Sequence, residues 1–491
     1  MPVNVSFLQE LLTTVAERGR SLLDISFGGE RKESITDQIE ALVAGAGEAS
    51  GVARAREILD RYKRLPSKER GEFFAFIASR LRPDLSRVRA AAEALVQEPG
   101  EGTLAELVKA VESPRQEFFR RLNLAPGATA ELVAMRKDLL ARVNSEPSLA
   151  AVDADLKHLL TSWFNRGFLV LRRIDWNTPA AILEKIIRYE AVHEIHGFDD
   201  LRRRLDPVDR RCFAFFHPAL IDEPLIFVEV ALTSQVPGSI QLLLGEESKA
   251  ADGAEPPTTA VFYSISNCQE GLRGISFGSF LIKQVVEELV REIDTLKTFV
   301  TLSPAPNFAR WLDRVLANGS DPVASEADRV ALQVLKDPGW VDEIEDESTK
   351  DTLLALAAHY YLRAKTSDGR PIDPVARFHL GNGARLERVN WLGDVSSKGL
   401  GEAHGLMVNY RYDLKEIERN HEAYANDGVI AASRGVRALL RPEPKPQGLT
   451  VSRVPAPGTV KAIASDPEHR QDTAAPAAAS ERGRPDEGSA A

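Results

Sequence analysis

One stretch in the middle of the chain limits its possible folds more than any other: an apolar run, a glycine-rich loop and a helical pattern follow one another without a break from Val261 to Ile293. Val261 to Ser266 is β-branched and aromatic, which reads as a strand. Ile282, Val285, Val286, Leu289 and Ile293 recur at the three-and-four spacing of an amphipathic helix. The segment between them carries Gly271, Gly274 and Gly278, and the pattern places the helix start near Gly278 or Ser279. The first turn of a helix has amide N–H groups without intrahelical acceptors and the positive end of the macrodipole, so it is suited to an anion.

The spacing narrows the anion. It is neither the G-x-G-x-x-G of a dinucleotide fold nor a P-loop ending in Gly-Lys-Ser/Thr. Gly274-Ile275-Ser276-Phe277-Gly278 does match G-x-S-x-G, the nucleophile elbow of serine hydrolases. An elbow needs its serine on a sharp turn between strand and helix, and here about nine loop residues separate Ser266 from Ser276. A loop residue is the better reading of Ser276. After the helix, Thr298 to Ser303 is a second β-like run, closed by Pro304 and Pro306, which cannot continue a ladder or a helix interior. Strand, anion loop, helix, strand is the core order of acetyltransferase-type CoA-binding folds.

Periodicity divides the rest of the chain into three regimes. From Val5 to about Ser162 it is helical almost throughout, beginning with the stripe Phe7, Leu8, Leu11, Leu12 and Val15. Thr103-x-x-Glu106 and Ser113-Pro114-Arg115-Gln116 read as capping boxes, the second with proline at the first helical position. The absence of a fixed repeat predicts a bundle, with packing and oligomerisation as its expected role. From about Trp163 to Leu440 the pattern is mixed. Gly167–Leu171, Cys212–Phe216, Leu225–Leu232 and Ser239–Leu244 read as strands leading into the loop–helix–strand unit. From Arg441 onward Pro, Ala, Ser, Gly and charge dominate, which predicts a disordered tail. The expected architecture is α+β: a helical bundle over 1–162, a mixed-sheet CoA-binding domain over 163–440, and the tail over 441–491.

Composition excludes several function classes. A net charge of -10 and a pI near 5.6 argue against a nucleic-acid surface. Two cysteines, Cys212 and Cys268, cannot build a disulfide framework and fit a reducing, cytoplasmic compartment. No apolar run approaches the ~18 residues of a membrane span, and the N-terminus lacks a signal-peptide pattern. His193-Glu194-Ile195-His196 has its histidines three apart, not at the spacing of a zinc-protease helix, so no metal is expected. His379 follows Asp373-Pro374 and precedes Gly381-Asn382-Gly383, and it reads as part of a short extended run near a turn. Histidine titrates near neutrality but is also an ordinary polar filler.

Seven segments together resemble the malonyl-CoA decarboxylase family: Tyr263-Ser264-Ile265-Ser266; Gln269-x-Gly271-Leu272-x-Gly274; Gly278-x-Phe280-Leu281-Ile282-Lys283; Leu302-Ser303-Pro304-x-Pro306-x-Phe308; Phe378-His379-Leu380-x-Asn382-Gly383-Ala384; Asn390-Trp391-x-x-Asp394-Val395-Ser396; and Gly405-Leu406-Met407-x-Asn409-Tyr410-Arg411-Tyr412. The match extends, in the family's order, through most of the region from about 160 to 440. The resemblance implies an acetyltransferase-like (GNAT-type) catalytic domain behind a helical oligomerisation domain. It also implies conversion of malonyl-CoA to acetyl-CoA and carbon dioxide without an added cofactor. It places a serine–histidine pair on Ser303 and His379, an active-site tyrosine on Tyr412, and the CoA pyrophosphate loop on Arg273, Gly274, Ile275, Ser276, Phe277, Gly278 and Ser279. A homo-oligomer, dimer or tetramer, is expected with it, and no membrane partner. The patterns at the two ends of the sequence do not match the organelle-targeting ends of the family's animal members, so none is expected, and the Pro/Ala-rich tail is expected to be additional.

The implied chemistry is self-sufficient. Cleaving the bond from Cα to the carboxylate leaves an enolate on the thioester, whose carbonyl is the electron sink. The protein must orient the carboxylate, stabilise the oxyanion and deliver a proton to carbon. The resemblance makes His379 the proton donor and Ser303 the proton acceptor; residue types alone leave that division open. An acyl-CoA-dependent acyltransferase of the same fold and a hydrolase working through Ser276 are the competing classes.

Overall fold

The computed structural model describes residues 33–45, 47–245, 256–275, 281–337, 339–343 and 347–442. The stripe from Phe7 to Val15, loop residues Ser276 to Ser279 and the tail from 443 lie outside them. The described chain starts with eight α-helices: α1 (Ile35–Ala44), α2 (Glu48–Arg64), α3 (Ser67–Arg80), α4 (Leu85–Gln97), α5 (Glu101–Val111), α6 (Pro114–Leu122), α7 (Ala128–Val143) and α8 (Ala150–Trp163). Ile39, Leu59, Phe74, Phe118, Phe119, Leu132, Leu139 and Leu156 come from six of these helices and form one core. Each contributes an apolar stripe at helical spacing, so the bundle follows directly from the periodicity.

Ser113 caps α6, accepting from the Arg115 N–H at 3.1 Å, with Pro114 at the first helical position. Gln116 does not complete a capping box, because its amide donates to Asp155 at 2.8 Å, and Asp155 also takes the Arg115 guanidinium at 2.6 Å. These bonds tie α6 to α8. Thr103 is not a cap: α5 starts earlier, after Gly100, and the Thr103 hydroxyl donates back to the Glu98 and Gly100 carbonyls.

An eight-stranded sheet follows: β1 (Val170–Ile174), β2 (Arg210–Phe216), β3 (Pro224–Thr233), β4 (Thr259–Asn267), β5 (Thr298–Thr301), β6 (Ser303–Pro304), β7 (Arg385–Asn390) and β8 (Met407–Arg411). The strand order is β1-β2-β3-β4-β5-β8-β6, with β7 also on β8. Among the described strands, β4 and β5 are the one pair that runs parallel. That pairing requires a crossover connection, which is the glycine loop plus helix α12 (Leu281–Glu292); before it come α9 (Ala180–Tyr189), α10 (Phe198–Leu205) and α11 (Ile240–Gly245).

Both faces of the sheet are covered, so its strands read as continuous apolar runs rather than as alternation. Along β2, Phe213 and Phe215 face α12, while Cys212, Ala214 and Phe216 join Ile182, Ile186 and Leu201 of α9 and α10. Ser239–Leu244, which reads as a strand, is the short helix α11. Ile240 and Leu243 are its buried pair at i and i+3, and a six-residue apolar run does not separate the two periods. Near the N-terminus of the sheet the strand begins at Val170, after a 3-10 turn over Arg166–Phe168. No helix among the described residues is long and apolar enough to cross a membrane.

Candidate active site

Strands β4 and β5 pair only from Thr259↔Thr298 to Phe262↔Thr301, with one more bond from Leu302 N–H to the Phe262 carbonyl. Beyond that point they part. β4 stays with β3 as far as Asn267, while Ser303 and Pro304 pair with Val408 and Met407 of β8. Pro304 has no N–H to extend the ladder, so the chain leaves the sheet and enters helix α13 (Phe308–Ala317). Ser303 therefore stands where the two parallel strands separate.

His379 arrives on a helix, not on the extended run that the sequence suggests. Asp373 is the N-cap of α15 (Pro374–Gly381), after α14 (Glu347–Leu362); its carboxylate accepts from the Ala376 N–H at 2.8 Å and from the Tyr360 hydroxyl at 3.0 Å. Asp373-Pro374 is a helix-start signature that was legible in the sequence. Burial pushes the Asp373 carboxyl up to about 6, against those hydrogen bonds. Tyr412 directly follows β8, and its N–H donates to the Phe299 carbonyl of β5.

Three elements thus bring a hydrogen-bonded line together inside the protein. Ser303 Oγ donates to Thr301 Oγ1 at 2.8 Å, Ser303 Oγ lies 3.1 Å from His379 Nε2, and His379 Nδ1 lies 2.8 Å from the Tyr412 hydroxyl. The network assigns the protons. Since the Ser303 hydrogen points to Thr301, its oxygen accepts from His379, whose proton is then on Nε2. Nδ1 accepts from Tyr412, whose hydroxyl has this single partner among the described residues. Burial alone pushes His379 down to about 3 and raises Tyr412, so the imidazole is neutral and the phenol protonated at neutral pH. An exposed histidine would titrate near 6.5; this one, 2 % exposed, does not.

Sequence reasoning missed two members of the site. Thr301 is fully buried and accepts from both Ser303 and the Tyr410 N–H. Tyr410 stacks on His379 with ring centroids 4.5 Å apart. Neither residue type announces such a role, although Tyr410 stands on β8 two positions before Tyr412, the spacing that puts side chains on one side of extended chain.

A cavity of about 560 Å³ lies alongside. Its wall includes Arg273, Gly274 and Ile275 from the glycine loop, and Arg377, Phe378 and Asn382 around α15. Ser303 and His379 are not part of that wall. Gly274 is left-handed, with φ +77°. Gly271 has another cause: a Cβ there would lie 1.9 Å from the Val133 carbonyl oxygen of α7, so the helical bundle, rather than a ligand, demands the glycine. Cys212 and Cys268 are buried thiols, and no cluster of three or more His, Cys, Asp or Glu among the described residues could hold a metal.

Comparison with known proteins gives a consistent result. Residues 167–450 match the malonyl-CoA decarboxylase C-terminal domain and residues 81–164 its N-terminal domain. The chain is 35% identical over 419 residues to a mitochondrial malonyl-CoA decarboxylase of Anser anser anser, covering 79% of this chain and 83% of that protein. A Rhodopseudomonas palustris malonyl-CoA decarboxylase crystal structure is 53% identical with a TM-score of 0.78, over 82% of this chain and 98% of that one. For the Agrobacterium vitis enzyme the values are 54% and 0.77, over 83% and 100%.

Proposed function

The chain belongs to the malonyl-CoA decarboxylase family, and from that premise we propose that it converts malonyl-CoA to acetyl-CoA and carbon dioxide through a thioester enolate, with Ser303, His379 and Tyr412 handling the proton. The observation that carries this reading is the buried line Thr301–Ser303–His379–Tyr412 at the point where β4 and β5 part.

In the bound malonyl group the bond from Cα to the carboxylate stands out of the thioester plane. When it breaks, its electron pair enters the thioester carbonyl and carbon dioxide leaves. The enolate carbon then takes one proton, so that malonyl-CoA and a proton give acetyl-CoA and carbon dioxide. Holding the reacting groups in place supplies much of the rate, because the electron sink is in the substrate itself. CoA phosphates occupy the glycine loop at 273–279, where backbone amides and Arg273 meet them.

The proton assignment separates this site from a serine hydrolase. A hydrolase needs the histidine Nε2 free to accept the serine proton. Here Nε2 carries a proton and the serine oxygen receives it. Ser303 is thus a proton acceptor toward His379 and a hydrogen-bonding group toward substrate, while His379 is the donor. A malonyl carboxylate brought to this buried site favours the imidazolium, so His379 charges in the complex and discharges into the enolate.

The test is to incubate the purified protein with malonyl-CoA alone in D₂O and weigh the product. Acetyl-CoA carrying one solvent deuterium, formed without an acyl acceptor, is the expected result. No acetyl-CoA without an acceptor would return the acyltransferase reading to first place.

A further inference from the structure

The helical bundle reaches into the substrate loop through one buried side chain. Arg136 of α7 is 1 % exposed. Its Nη1 donates to the Gly271 carbonyl at 2.7 Å and to the Arg273 carbonyl at 3.0 Å, and its Nε donates to Asp153 of α8 at 2.8 Å. Gly271 meanwhile rests on the Val133 carbonyl, one helical turn before Arg136. A buried guanidinium in this position satisfies two loop carbonyls that would otherwise need water, and it fixes two peptide planes.

Fixing a carbonyl also fixes the neighbouring amide. In a trans peptide the N–H points opposite to the C=O. With the Arg273 carbonyl held toward Arg136, the Gly274 N–H points away from it. The Leu272, Arg273 and Ile275 amides are spent on the Gln269, Glu270 and Leu272 carbonyls. The Gly274 N–H has no acceptor among the described residues, and Gly274 lines the 560 Å³ cavity. The ammonium of Lys157 from α8 comes within 3.8 Å of the position a Gly274 Cβ would take, and Lys157 forms no ion pair among the described residues.

We infer that the helical bundle is part of the substrate site: Arg136 is a positioning residue that presets the Gly274 N–H as a donor to a phosphate of the CoA moiety, and Lys157 supplies a cation beside it. The inference rests on the proposed malonyl-CoA reading. It gives α7 and α8 a role in substrate affinity that is independent of any role in assembly.

The experiment compares malonyl-CoA with malonyl-pantetheine, which keeps the reacting group and lacks the nucleotide phosphates, on the full-length chain. Arg136→Lys keeps a charge but cannot grip two carbonyls in one fork. It should lower kcat/KM for malonyl-CoA roughly ten-fold through KM, leave kcat within about two-fold, and leave kcat/KM for malonyl-pantetheine unchanged. Lys157→Gln, an exposed change that threatens no packing, should lower kcat/KM for malonyl-CoA about three- to ten-fold at low salt, with the difference fading at high salt as charge screening requires. Equal losses on both substrates, or no loss with Lys157→Gln, would overturn the inference. Wild-type protein inactive on both substrates would instead remove the proposed function on which it stands.

Discussion

The Tyr412 hydroxyl lies 2.8 Å from His379 Nδ1, across the imidazole from Ser303, whose own hydrogen bond to Thr301 leaves Nε2 as the donor. A catalytic aspartate in the same place would accept from Nδ1 and leave Nε2 as a base. A protonated phenol donates, and Nε2 becomes the donor.

Tyr412→Phe tests this directly. It removes one oxygen from a packed site and leaves Nδ1 buried without a donor. Turnover should fall about 10- to 100-fold with KM little changed, and stability should drop by about 1–3 kcal/mol from the unsatisfied nitrogen. A variant with wild-type kcat would sink the tautomer assignment.

Ser303→Ala should lose ~10²-fold or more in kcat while malonyl-CoA still binds, as for a group that acts in the transition state. Ser276→Ala should lose far less. Because Nε2 is protonated, a fluorophosphonate probe should label neither serine. Labelling of Ser276 would favour the hydrolase.

His379 makes a prediction in pH. Its folded pKa of about 3 lies below the unfolded ~6.5, so the folded protein binds fewer protons between these values. Its contribution to stability is present above about pH 6.5 and is lost progressively as pH falls toward 3. Thermal melts from pH 7 to 4 should show a smaller acid loss for His379→Asn than for wild type. In kinetics, kcat/KM reports the free enzyme and should show no His379 inflection between about pH 5 and 9, whereas kcat, which reports the complex, should show one. An inflection near 6.5 in kcat/KM that vanishes in His379→Asn would contradict the buried, neutral imidazole.

Gly271→Ala places a methyl group 1.9 Å from a backbone oxygen that cannot move without its helix. The expected cost is about 1–3 kcal/mol, together with weaker CoA binding as the loop shifts off Arg136. Differential scanning calorimetry and titration with CoA check both halves. A fully stable variant would mean that α7 yields at Val133.

Much of the architecture was legible along the chain because periodicity is a local property. Helix α12 follows from Ile282, Val285, Val286 and Leu289, and strands β2 to β4 follow from unbroken apolar runs flanked by turn residues. The parallel pairing of β4 with β5 follows from the loop and helix between them. Where local signals compete, as at Ser239–Leu244, a short segment does not show which period wins.

The site was decided elsewhere. Ser303 and His379 are 76 residues apart, His379 and Tyr412 are 33 apart, and Arg136 reaches across 135 residues to Gly271. Family resemblance could pick out Ser303, His379 and Tyr412, but not Thr301, Tyr410 or Arg136, whose roles exist only in their contacts. The protonation of His379 has the same origin. Residue type fixes a pKa near neutrality, and only complete burial between α15 and the sheet moves it to about 3, because desolvation acts on the charged form through everything packed around it. The sequence by itself determined the long strands and helices, whose periodicity is unambiguous. The tertiary structure decided which side chains meet, and therefore where the proton sits.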